Sequence, residues 1–114
     1  MDAFVALAEP RRRRVMELLA ARGKMSATQI CEEFEVTPQA VSQHLKVLRE
    51  ADLIRMERQA QRRIYGINTA PMGEVKEWAE RVTSMWNSRF DALAKALEDE
   101  KRGGKASRGE THGR

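Results

Sequence analysis

Apolar residues recur along this chain with two periods, and the switch between them marks its elements. Val41, Leu45 and Leu48 stand at helical spacing and predict a helix from Pro38 to Glu50. Thr37 fits its N-cap, and Pro38 fits the first helical position, where a missing N–H does no harm. Val15, Leu18 and Leu19 mark an earlier helix over Arg11–Ala21, opened by Pro10 and closed at Arg22-Gly23-Lys24. Ile30 and Phe34, with Cys31 beside them, mark a third over Ala27–Phe34, capped from Met25-Ser26. Before all of these, Ala3–Ala8 offers one or two apolar turns that end at Glu9-Pro10.

The period then drops to two. Ile54 and Met56 alternate with Arg55 and Glu57, and Arg63, Tyr65 and Ile67 share a face after the polar Gln59-Ala60-Gln61. That is a β-hairpin directly behind a helix, a tight connection and a second capped helix, hence a wing on a helix-turn-helix. The connection Glu35-Val36 lacks the usual glycine. Thr69-Ala70-Pro71 opens a last helix from Met72 to about Glu100, with a continuous stripe of Val75, Trp78, Ala79, Val82, Met85, Trp86, Phe90, Leu93 and Leu97. At ~1.5 Å per residue this helix is ~40 Å long, more than one small domain covers. The stripe asks for a second copy of the chain, so a homodimer is expected through Val75, Trp78, Val82, Met85, Trp86, Phe90 and Leu93, with Phe4 and Leu7 of the first helix helping. The alternative is that the stripe packs back on that first helix. The expected fold is mainly α with a small β-hairpin: four helices, a two-stranded wing over 53–68 and a long C-terminal dimerisation helix. Residues 1–100 form the domain, and 101–114 are expected as a disordered basic tail with almost no apolar content.

Charge changes the picture through its placement. The chain of 114 residues is +4 overall, and residues 101–114 account for a net +4. Residues 71–100 hold four basic and seven acidic side chains, which leaves residues 1–68 at +3. A basic leading part and an acidic last helix give the molecule a nucleic-acid side and another side. On the 37–50 helix, Gln39, Ser42, Gln43 and Lys46 oppose the apolar stripe, with no carboxylate before Glu50. Short hydrogen-bonding groups and one cation suit base edges and phosphates, although an ordinary surface helix also shows a polar face. Thr37, Gln39, Ala40, Ser42, Gln43 and Lys46 are the expected DNA contacts on this helix. Arg58, Arg62 and Arg63 on the wing suit phosphates or the minor groove, and also suit an edge strand protected by charge. Arg11 to Arg14 point four ways around their helix, so one or two reach DNA or pair with Glu9 while the rest are solvated.

Other function classes find little support. No nucleophile–base pair, glycine-rich phosphate loop or carboxylate pair stands out, so no enzyme is expected. No run of 18 apolar residues exists, and Met1–Val5 has no basic-then-apolar leader. The single Cys31 permits no intrachain disulfide, and a cytoplasmic location is the expectation.

Leu7-Ala8-Glu9-Pro10-Arg11-Arg12, the run from Val41-Ser42-Gln43-His44-Leu45-Lys46 to Asp52-Leu53-Ile54, and Arg62-Arg63-Ile64-Tyr65 resemble bacterial ArsR-type winged-helix repressors over Phe4–Leu97. The resemblance implies a homodimer that represses transcription from a palindromic operator until an inducer binds. Many members sense metals. The family's paired cysteines fall at Ser26 and Thr28 here, and hydroxyls are poor ligands for soft ions. Residues 72–100, where other members place histidine ligands, contain no histidine. His44, inside the 37–50 helix, reads as a half-buried structural group, and His112 lies in the tail. No metal or other cofactor is therefore expected, and this looks like a branch that does not sense metal. The inducer is unknown; side chains around Trp78, Met85 and Trp86 suit a small-molecule pocket or a dimer core alike. A metal-responsive repressor with an unrecognised site, and a protein-interaction module using the last helix, remain the alternatives. At the wing tip the family often has glycine where this chain has Ala60, so the turn there is expected to avoid positive φ.

Overall fold

The computed structural model describes residues 1–106. Its elements run α1 (Ala3–Ala6), α2 (Pro10–Arg22), β1 (Met25–Ser26), α3 (Ala27–Cys31), α4 (Pro38–Glu50), β2 (Ile54–Gln59), β3 (Arg62–Ile67) and α5 (Met72–Ala106). The backbone divides into two units, Met1–Lys76 and the part from Glu77 onward.

Each helix of the first unit starts where a side chain can satisfy its free N–H groups. Asp2 accepts from the Val5 N–H at 2.9 Å, and Thr37 Oγ1 accepts from Ala40 at 3.1 Å. Ser26 and Gln29 form a reciprocal capping box: Ser26 Oγ accepts from the Gln29 N–H at 3.2 Å, and Gln29 Oε1 from the Ser26 N–H at 2.8 Å. Glu9 caps α2 ahead of Pro10. The helix α2 ends on Gly23 at φ +79°, and α4 ends in a Schellman turn. There the Leu53 N–H reaches Leu48 O at 3.0 Å and the Asp52 N–H reaches Arg49 O at 2.9 Å. Leu48 and Leu53, both fully buried, supply the hydrophobic contact of that motif. The turn places Asp52, not glycine, at φ +59°. Asp52→Gly relieves that left-handed strain at some cost in unfolded-chain entropy, so a net gain of about 0.5–1 kcal/mol is expected in urea melts. An unchanged or lower midpoint would show that Asp52 is unstrained there.

The core of this unit gathers Val15, Leu18 and Leu19 from α2, Ile30 from α3, Val41, Leu45 and Leu48 from α4, and Leu53, Ile54 and Tyr65 from the chain that follows. The apolar spacing in the sequence named most of these. Where the sequence indicated a two-stranded wing, the sheet has three antiparallel strands in the order β1-β3-β2. Met25 pairs with Tyr65 and Ser26 with Ile64. Two residues carry too short a pattern to register as a strand, and Met25-Ser26 looked like a helix cap alone; Ser26 serves as both. The helix α3 stops at Cys31 instead of Phe34, because the Glu33 and Phe34 N–H groups reach back only three residues, to Ile30 and Cys31. That tighter turn brings Phe34 and Val36 against the core.

The hairpin β2–β3 pairs Ile54 with Ile67, Met56 with Tyr65 and Arg58 with Arg63, so these six share a face; Gln59 opposite Arg62 closes a two-residue loop of Ala60 and Gln61. The expectation that Ala60 avoids positive φ is overturned: it sits at φ +58°. A two-residue hairpin loop needs a left-handed residue to match the strand twist, and pairing enforces that geometry even on alanine.

In the second unit α5 continues as helix to Ala106, six residues past the expected end, and the remainder of the expected tail, 107–114, lies outside the described residues. Along α5, Trp78, Val82, Met85, Trp86, Phe90, Leu93 and Leu97 are all exposed, with Trp86 at 64%. Among the described residues no helix is long and apolar enough to cross a membrane.

Candidate nucleic-acid interface

The helix α4 has a clean division of faces. Val41, Leu45 and Leu48 are buried, while Gln39, Ser42, Gln43 and Lys46 on the opposite side are exposed. Among the described residues none of those four makes an ion pair or a side-chain hydrogen bond. The face therefore offers free donors and acceptors, one cation and no carboxylate until Glu50. Thr37 is exposed at the N-terminus; its oxygen is committed to the cap, which leaves its O–H to donate. Ala40 is half-buried and supplies only apolar contact.

Behind α4 the wing presents Arg58, Arg62 and Arg63, all exposed and without an ion pair among the described residues. Arg58 and Arg63 stand directly across the ladder, an arrangement that costs free energy unless an anion lies between them. The nearest acid on the wing, Glu57, is held by Lys24 Nζ at 2.5 Å. Lys24 in turn lies along Gly66, whose missing side chain would meet the lysine stem at 3.6 Å. The wing tip thus keeps its positive charge. Arg62, Arg63 and Gln61 line an open cleft of about 240 Å³ with Ser26, Ala27 and Thr28. Both positions matching the family's thiol pair lie on this cleft, and the Ser26 hydroxyl is already taken by the capping box.

The arginine run resolves into separate tasks. Arg11 lies 3.5 Å from Glu9. Arg12 donates from Nε to Ala6 O at 2.6 Å and from Nη2 to Val5 O at 3.3 Å, while Arg13 donates to Leu7 O at 2.7 Å. These two arginines hold carbonyls at the end of the four-residue α1, so they are not free to reach DNA. Arg14 sits by Glu17 at 3.7 Å. Sequence reasoning missed this use, because a helix of one turn leaves no pattern from which its C-terminal partners can be read.

His44 is half-buried, as its place beside the apolar stripe suggested, with Glu9 Oε2 3.7 Å from Nε2 and Arg12 Nη1 3.4 Å from Nδ1. Partial loss of hydration pushes Glu9 up, but the N–H groups of Arg11 and Arg12, then His44 and Arg11, bring its carboxyl below its ordinary value. Stability from this capping is present above the ordinary carboxylate pKa and is lost as pH falls through the lowered one.

The residues expected on a dimer face divide. Phe4 is 36% exposed and the α5 stripe from Trp78 to Leu93 is exposed, whereas Leu7 and Val75 are half-buried against the first unit's own core. Cys31 is half-buried and carries no disulfide. Among the described residues no group of three or more His, Cys, Asp or Glu stands close enough to hold a metal.

Comparison with known proteins agrees with this arrangement. A helix-turn-helix domain family matches residues 7–57. The transcriptional repressor SdpR of Bacillus subtilis is 32% identical over 77 residues, covering 68% of this chain and 84% of that protein. The arsenical resistance operon repressor of Bacillus subtilis is 40% identical over 65 residues, covering 57% of this chain and 62% of that protein. The crystal structure of an ArsR family transcriptional regulator superposes with a TM-score of 0.66 at 28% identity, over 75% of this chain and 87% of that one. The shared core of helix, turn, recognition helix and wing, together with these relatives, makes the chain a member of the ArsR-type winged helix-turn-helix family, a DNA-binding transcriptional regulator and not an enzyme.

Proposed function

We propose that the protein is a homodimeric repressor that reads a palindromic operator with α4 and grips its backbone with the wing. The observation that carries this is the unpartnered polar face of α4 opposite Val41, Leu45 and Leu48, set beside an arginine wing whose own acid, Glu57, is paired with Lys24. Gln39, Ser42 and Gln43 read base edges, while Thr37, Lys46, Arg58, Arg62 and Arg63 hold phosphates or the minor groove. Ala40 packs against a thymine methyl or the sugar edge. The exposed α5 stripe supplies the dimer contact, and two copies of α4 then meet half-sites about 34 Å apart. The names of two relatives, both repressors, support repression as the outcome. With hydroxyls at Ser26 and Thr28, we assign release to an organic inducer or to none, not to a soft metal.

Fluorescence anisotropy against DNA from immediately upstream of the protein's own gene, across salt and with Zn(II) or As(III), tests the reading. Tight binding at two subunits per site, unchanged by metal, is the expected result. Binding with no preference over random DNA means that the operator lies elsewhere or that the partner is a protein, and release by metal means a site exists that uses neither a thiol pair nor an α5 histidine. Within the same assay Arg62→Ala should lower affinity for all sequences alike and flatten the salt slope by about one. An unchanged slope would remove the wing from the interface.

A further inference from the structure

We propose that Arg12 is a positioning residue for DNA recognition: its guanidinium ties the end of α1 to His44 in the middle of α4 and sets how the reading helix is presented. The inference rests on the reading of α4 given above. Three of the guanidinium's nitrogens are used, in two directions. Nε and Nη2 donate to the carbonyls of Ala6 and Val5, and Nη1 meets His44 Nδ1. Arginine can only donate, so the contact is a hydrogen bond when the ring is neutral with Nδ1 as its acceptor. The imidazole proton then sits on Nε2, where it faces Glu9. Glu9 is itself fixed, because its Oε2 accepts from the Arg11 N–H at 2.8 Å and the Arg12 N–H at 3.2 Å. The ring of His44 therefore meets Arg12 at hydrogen-bond distance on one side and has the Glu9 carboxylate 3.7 Å away on the other.

His44 belongs to the same helix as the exposed Ser42 and Gln43 but lies on its flank, beside the buried stripe. A side chain there cannot read bases, yet it decides how α4 is rotated and tilted on the core. Leu45 and Leu48 hold α4 by apolar packing, which tolerates small sliding; the Arg12–His44 hydrogen bond adds direction, because hydrogen bonds weaken steeply with angle. Arg12 also joins α1 to that contact. The fork geometry matters here: lysine's three donors share one nitrogen and do not span the separate positions that Nε, Nη1 and Nη2 occupy.

The test separates positioning from phosphate contact. A duplex selected by the unmodified protein from a random library serves as operator, and a scrambled duplex as competitor. Arg12→Ala and Arg12→Lys should each lower the operator-to-scrambled affinity ratio by about tenfold, the cost of roughly one mismatched base pair, with the salt slope unchanged. His44→Gln, whose amide oxygen can accept from Arg12, should keep the ratio, while His44→Leu should lose it as Arg12→Ala does. Thermal melts identify any variant that unfolds, and Arg12→Lys with His44→Gln carry the test if alanine is too disruptive. A salt slope reduced by about one in Arg12→Ala, with both duplexes weakened equally, makes Arg12 a phosphate contact and overturns the proposal. So does a ratio kept by Arg12→Lys, or one lost equally in His44→Gln and His44→Leu. If the unmodified protein selects no duplex at all, the reading of α4 fails first, and this inference falls with it.

Discussion

Trp86→Ala should leave a folded protein that sediments as a monomer at concentrations where the parent is a dimer, and that has lost tight operator binding. The indole is 64% exposed on α5 and lies among Val82, Met85 and Phe90, which are also exposed. In the proposed dimer an aromatic side chain at the centre of the α5 stripe is the kind of anchor whose truncation costs about 2–4 kcal/mol, enough to raise the dimer dissociation constant roughly 30- to 1000-fold. Because the side chain is exposed in the single chain, its removal leaves no cavity in the folded unit, and the thermal midpoint extrapolated to low concentration should not fall. DNA affinity falls with the dimer, since one α4 on a half-site lacks the effective concentration that the second provides. Analytical ultracentrifugation and anisotropy on one sample read both effects. A monomer that binds the full operator as tightly as the parent would break the link between the stripe and DNA binding.

The combined change Gln39→Ala, Ser42→Ala and Gln43→Ala should have the opposite signature, with the dimer intact and operator preference gone. Each base-reading contact is worth about 1–3 kcal/mol, and close neighbours on one helix do not add freely. The floor is the affinity for random DNA, ~10³-fold or more below the operator. None of the three side chains is buried, and alanine favours helix, so α4 should persist by circular dichroism. Arginines of the wing remain, so the salt slope should stay close to the parent's. Retained discrimination between operator and scrambled duplex would mean that the base-reading face of α4 lies elsewhere.

The architecture was legible wherever burial imposed a period. Val41, Leu45 and Leu48 wrote α4 to its end residues, and Thr37-Pro38 marked its start. The wing followed from alternation at Ile54 and Met56 and again at Tyr65 and Ile67. What escaped was short or made by tertiary pairing. Met25-Ser26 forms a strand because β3 lies alongside, not because two residues prefer extension. Ala60 takes a left-handed conformation because the flanking register leaves only two residues for the turn. The candidate DNA face was visible as a set of residue types, since polar groups opposite an apolar stripe must be exposed. The tasks of Arg12 and Arg13 were not, because four arginines in a row look alike until the end of α1 supplies carbonyls for two of them.

The pairing of Met25 with Tyr65 has a kinetic consequence. The hairpin β2–β3 is local and closes through a two-residue loop, on a timescale of about 1–10 μs. The strand β1 pairs with β3 across the whole of α3, α4 and β2, so that contact carries a loop-closure cost that the hairpin does not. Once it forms, the first turn of α3 and the second wing strand become a single cooperative segment, because Ser26 is at once a strand residue and the α3 cap. In native-state hydrogen exchange, the amides of Ser26, Ile64 and Tyr65 should therefore open together rather than fray outward from the wing tip.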